Sequence, residues 1–198
     1  SLGRGDEALH MLRAAQDAPG PRWTKPLLQF GAAVTLYRRG EWDDALAEVA
    51  AGLTSADEYG VKLGTAWPHA LHVIISTARG DHDSARSWLD RARVEVPPNS
   101  LGIEWLMHAS AIVAEARGDP RGALDLLRPV VDIALTLDAP AVLMNLSPDA
   151  ARLSASLGDR GTLTMVVDNL AALASKTRSP VVHGFHDWVA GWRDTDFA

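Results

Sequence analysis

Apolar residues along this chain recur with helical spacing, and the apolar stretches come in pairs divided by a glycine. One stretch of period 3.6 precedes each of Gly40, Gly80, Gly118 and Gly158, and another follows. The spacing predicts first helices over 26–39, 64–79, 101–117, 141–157 and 181–193, and second helices over 6–17, 42–59, 82–95, 120–138 and 160–178. Pro19, Pro21, Pro97, Pro98, Pro140 and Pro180 fall between the pairs, where helix breakers belong. Pro68 suits a first turn, where its missing N–H is not needed. Two prolines do not fit so simply. Pro129 is expected to kink the helix at 120–138, and Ser147-Pro148-Asp149 reads as a fresh helix start that breaks 141–157 in two.

The dividing turns are near copies: Arg39-Gly40-Glu41, Arg79-Gly80-Asp81, Arg117-Gly118-Asp119 and Leu157-Gly158-Asp159. Five residues after each glycine stands a small or apolar residue, Ala45, Ala85, Ala123 or Leu163, and Gly3 with Ala8 keeps the same offset. Successive glycines lie 37, 40, 38 and 40 residues apart. Glycine reaches the left-handed conformation that closes a helix without steric cost. The acid after it can cap the next helix and face its positive end, and the alanine five on permits close helix approach. A fixed period near forty residues points to an all-α solenoid of antiparallel helix pairs, expected as a single domain over 1–198.

Composition narrows the function. The net charge is −6 and no block of Lys or Arg stands out, so the basic face of a nucleic-acid binder is missing. There is no cysteine, hence no disulfide framework, thiolate metal site or Cys nucleophile, which fits a cytoplasmic protein. No apolar run reaches membrane-spanning length; Ala70–Ala78 is short and carries His72. The chain opens on Ser1-Leu2-Gly3, inside a repeat, and is expected to be a segment of a longer protein.

The turn pattern Gly-Asp-x-x-x-Ala between amphipathic helices resembles the tetratricopeptide repeat, although these repeats exceed its usual ~34 residues. The stretch Asn145-Leu146-Ser147-Pro148-Asp149-Ala150-Ala151-Arg152-Leu153-Ser154-Ala155-Ser156-Leu157-Gly158, followed by the Ser179-Pro180 step, is similar to the helical repeat region of large ATP-binding LuxR-type transcriptional regulators. The resemblance implies a sensing or coupling segment. The chain has no phosphate-binding Gly-x-x-x-x-Gly-Lys-Ser/Thr loop and no basic helix-turn-helix, so in such a regulator those parts would lie outside it.

Few side chains suggest chemistry. His69 with His72, and His183 with His186 and Asp187, have helical spacing for a shared metal, but neither set has a third ligand fixed nearby, and no metal or cofactor is expected. Nothing resembles a nucleophile elbow or a shielded carboxylate pair, so the segment is not expected to be an enzyme. First helices of tetratricopeptide-like stacks line the concave surface. Counting back 13, 10, 6 and 3 from each glycine gives the expected face: Leu27, Phe30, Val34 and Tyr37; then Trp67, Ala70, Ile74 and Thr77; then Trp105, His108, Ile112 and Glu115; then Asn145, Pro148, Arg152 and Ala155. Trp67 and Trp105 occupy equivalent places and are expected to be neighbours. The candidate ligand or partner site is Tyr37, Trp67, Trp105, His108, Glu115 and Arg152. Trp42, Trp88, Trp188 and Trp192 are assigned to packing. Val181, Val182, Phe185, Trp188, Val189 and Trp192 form an apolar stripe expected to pack on the helix at 160–178, with Trp188 buried.

The expected function is therefore a ligand- or protein-binding helical-repeat module of a multidomain transcriptional regulator. A stand-alone tetratricopeptide scaffold docking peptide segments of partner proteins is the alternative. Its partners would be a protein, a peptide or a small-molecule effector, with no nucleic acid and no membrane; homo-oligomerisation is left open.

Overall fold

The computed structural model describes residues 4–98, 100–136 and 139–193. These form ten α-helices: α1 Gly5–Asp17, α2 Thr24–Arg38, α3 Trp42–Tyr59, α4 Ala66–Ala78, α5 His82–Glu95, α6 Ile103–Ala116, α7 Pro120–Thr136, α8 Pro140–Ser156, α9 Arg160–Ser175 and α10 Pro180–Arg193. There is no strand among the described residues, and no helix is long and apolar enough to cross a membrane. Most boundaries lie within two residues of those expected from the apolar spacing; α9 ends three residues early, at Ser175. The first expected turn, at Gly3, lies outside the described residues.

The turns explain why the helices end where they do. Gly40, Gly80, Gly118 and Gly158 all have positive φ, between 68° and 81°. In each turn the next residue donates its N–H five residues back: Glu41 to the Leu36 carbonyl, Asp81 to Ser76, Asp119 to Ala114 and Asp159 to Ser154, at 2.8–3.1 Å. These are the closing bonds of a left-handed helix cap. The aspartates then cap the following helix, their Oδ1 atoms accepting from the N–H of Ser84, Gly122 and Thr162 at 2.8–3.0 Å. Glu41, one methylene longer, makes no such cap; its Oε1 accepts from Arg39 Nε at 2.6 Å. Ala45, Ala85, Ala123 and Leu163 are all buried.

Ion pairs link one turn to the next. Arg79, before Gly80, donates to Asp43, three residues past Gly40, at 2.8 Å, and Arg39 pairs with Asp6 in the same register. Leu157 replaces the arginine at the last turn, and the signs are exchanged there: Arg121, three past Gly118, pairs with Asp159 at 3.3 Å.

The chain divides within α6 into two compact units, residues 1–109 and 110–198. In the first, α1 packs on α2, α2 on α3 and α4, α3 on α4, and α4 on α5. Leu9, Ala32, Leu36, Ala45 and Ile75 make a buried cluster, flanked by Leu12, Tyr37, Trp42 and Leu46. In the second, α7 packs on α8 and α9, α8 on α9, and α10 on α8 and α9. Leu124, Leu127, Leu143, Leu146, Leu153 and Leu170 are its largest fully buried side chains.

Two expectations are corrected here. The helix at 140–156 is not broken: α8 continues through Pro148, as α7 does through Pro129. An internal proline costs a helix roughly 3 kcal/mol. In α8, packing of Leu143, Leu146, Ala150 and Leu153 against three neighbouring helices outweighs that penalty. The second correction concerns α10. Only Val189 of its apolar stripe is fully buried, whereas Trp188 is 49% exposed and Val181 is also exposed.

Candidate binding face

Tyr37, in the last turn of α2, meets Trp105, in the first turn of α6, edge to face, with ring centroids 6.1 Å apart and planes at 74°. The guanidinium of Arg38 lies over the same indole, 5.7 Å from its centroid. Burial holds the Arg38 guanidinium below its usual pKa, since desolvation disfavours the charged form. The result is an aromatic pair with a cation above one ring, a contact type that gains strength where water is partly excluded.

Trp67 is not the ring partner of Trp105. Its indole lies against the backbone of Gly64 and Gly102; both glycines have positive φ, 78° and 87°. A Cβ on Gly102 would overlap the indole, so that position admits only glycine on two grounds, conformation and space. Trp67 remains half-buried, while Trp105 and His108 are buried, with 7% and 9% of their surface exposed. The expected row of groove-facing side chains thus divides. At ten residues before the glycine, Phe30, Ala70 and His108 are buried, and Phe30 fills the space over Gly52 of α3. At three and thirteen before, Tyr37, Thr77, Leu27 and Trp67 keep partial exposure, whereas Trp105 and Ala155 are buried.

In the second unit, Glu115 and Arg152 meet. Arg152 donates from both terminal nitrogens to the two Glu115 oxygens, each at 2.6 Å, and Nη2 also donates to Asp149 at 3.1 Å. These hydrogen bonds, Glu115 first, raise the Arg152 pKa above its usual value. The two charges expected to orient a ligand therefore neutralise one another.

The histidines have local roles. His69 is buried; its Nδ1 is 2.7 Å from the Thr65 carbonyl and its Nε2 is 3.2 Å from Glu95. His72 stacks flat on Trp88, centroids 3.8 Å apart, and the Arg91 guanidinium lies over the Trp88 ring, 4.9 Å from its centroid. His183 faces the Thr177 carbonyl and His186 faces Asp187. Among the described residues no three His, Asp or Glu side chains converge as a metal site would require.

Arg38 was not among the residues singled out from the sequence. Its signal was available: a cation directly after Tyr37, at the end of the row.

No family model, no curated protein and no solved structure matches this chain.

Proposed function

We propose that the chain is a ligand- or protein-binding segment of a cytoplasmic multidomain transcriptional regulator, built as a tetratricopeptide-like solenoid of helix pairs. The repeat reading is supported by four turns sharing one closing hydrogen bond, and by two ion pairs in the same register, Arg39–Asp6 and Arg79–Asp43. The regulator reading rests on the resemblance of residues 145–158. An upstream phosphate loop and a downstream helix-turn-helix in the gene would support it, and a short open reading frame would favour a stand-alone scaffold.

The observation that carries the binding role is the Tyr37–Trp105 pair with Arg38 over the indole, together with the half-buried Trp67. An aromatic pair with a cation over one ring suits a short peptide or a small ligand with apolar and anionic parts. His108 is buried, and in the second unit Arg152 is held by Glu115 and Asp149. The test is selection of peptides from a displayed library against the purified chain, followed by affinity measurements on Tyr37→Ala and Trp67→Ala. Each substitution should weaken selected peptides by more than ~1 kcal/mol while the circular-dichroism spectrum stays unchanged. Trp105→Ala is a poor probe, because truncating a buried indole costs roughly 3–5 kcal/mol of stability. Binders indifferent to both Tyr37→Ala and Trp67→Ala would remove the face from consideration.

A further inference from the structure

At the junction of α1, α2 and the end of α3 lies a cavity of about 220 Å³ lined by Gln16, Arg22, Thr24, Lys25, Leu28 and Tyr59. We propose that this cavity binds a phosphate monoester. It shares no residue with the face described above, so the two proposals stand or fall separately.

Three observations converge on an anion with several acceptor oxygens. First, Arg22 and Lys25 form no ion pair among the described residues, although Arg39, Arg79, Arg121 and Arg152 each hold an acid. In a chain of net charge −6, two unpaired cations on one small cavity attract a negative ligand. Second, Nε2 of Gln16 is buried with no acceptor. A buried donor left unmade is destabilising, and a ligand oxygen would relieve it. Third, every polar group named here can donate: guanidinium, ammonium, amide NH₂ and the Tyr59 hydroxyl.

The end of α2 is not itself the attraction. Its first amides are already used, Thr24 N–H by Pro21 and Lys25 N–H by Arg22, and Pro26 has none. The Thr24 hydroxyl likewise donates to the Pro21 carbonyl at 2.7 Å. Recognition falls to the side chains. A phosphate monoester carries nearly two negative charges at neutral pH and presents three acceptor oxygens, matching two cations and the Gln16 amide. A carboxylate offers one charge and two oxygens. Leu28 and the Tyr59 ring give the ester's carbon group an apolar wall.

The experiment titrates the ¹⁵N-labelled full chain with phenyl phosphate at physiological salt, about 150 mM. Saturable shifts of the Gln16 side-chain amide and of the Arg22 and Lys25 backbone amides are expected. The double substitution Arg22→Gln with Lys25→Gln should weaken binding roughly tenfold or more, and Gln16→Leu several-fold, without change in the helical spectrum. Gln16→Leu separates a built site from loose attraction to surface cations, which it would leave untouched. Inorganic phosphate and phenylacetate serve as comparisons. The proposal is overturned if shifts fail to saturate, map elsewhere, or survive both substitutions. Equal affinity for phenylacetate, or for inorganic phosphate, would overturn the assignment to a phosphate monoester.

Discussion

Arg152 grips Glu115 with both terminal nitrogens, and the two residues come from α8 and α6. The fork geometry makes this more than a chance surface pair. Both side chains are partly exposed, 43% and 34%, so solvent screening keeps the gain small. A double-mutant cycle with Glu115→Gln and Arg152→Gln should give a coupling of about 1 kcal/mol or less. It should shrink in about 1 M salt. A coupling indistinguishable from zero at low salt would mean the pair contributes nothing to holding α8 in place.

The glycines divide into two kinds with opposite responses to alanine. At Gly80, φ is 77°, and a side chain is strained there whatever the space. Gly80→Ala should therefore destabilise by roughly 1–2 kcal/mol, and Asp81→Ala by a further ~1 kcal/mol through loss of the cap to Ser84. Gly184 sits inside α10 with open space where a Cβ would go. Gly184→Ala should stabilise by up to ~1 kcal/mol, because it restricts the unfolded chain and favours the helix. Chemical denaturation of the three variants checks the signs. A stabilised Gly80→Ala protein would contradict the left-handed turn.

On α10 the weight lies on one valine. Val189 is fully buried, while Trp188 is 49% exposed and contacts Phe185 and Trp192 edge-on, with centroids 5.8 and 4.8 Å apart. Val189→Ala should cost roughly 1–3 kcal/mol. Trp188→Ala should cost about 1 kcal/mol, not the 3–5 kcal/mol that full burial would imply. A larger loss at Trp188 than at Val189 would show that something covers the indole in solution.

These contrasts show what the amino-acid pattern could and could not reveal. The turns were legible because their chemistry is local: a glycine for positive φ, an aspartate for the cap, an alanine for close approach. Helix limits followed from the same signals. The continuity of α8 was not legible, because the penalty of Pro148 is local while the packing that overrides it comes from distant helices. The Tyr37–Trp105 contact was hidden for a related reason. Counting from the glycines makes residues of adjacent repeats neighbours, but Tyr37 of α2 reaches α6, skipping the first helix of the pair between them in sequence. The stripe on α10 marked the helix as amphipathic without saying how much of it would be covered.

His72 should make stability depend on pH in a window that can be named. Its ring is half-buried and stacked on Trp88, and its pKa is pulled down to about 4 from 6.5. Burial is the chief cause, followed by repulsion from His69 and Arg91. The neutral form is thus favoured in the folded chain, while the unfolded chain takes up a proton near pH 6.5. Between these values the unfolded state binds more protons, so stability falls as pH drops from about 6.5 to about 4 and is flat above. His72 is partly open to solvent, which limits its share of the loss to roughly 1–2 kcal/mol. Glu95, which faces His69, acts lower: it is held below its usual pKa, first by the hydrogen bond from Arg91, and loses its contribution only as pH falls through that depressed value. Comparing wild type with His72→Gln therefore isolates the imidazole. The difference in unfolding free energy between the two should shrink or reverse from pH 7 to pH 4.5, as the wild type suffers the loss due to His72 that the glutamine variant lacks. Parallel curves across that range would show that the stacked ring is protonated in the folded chain as easily as in the unfolded one.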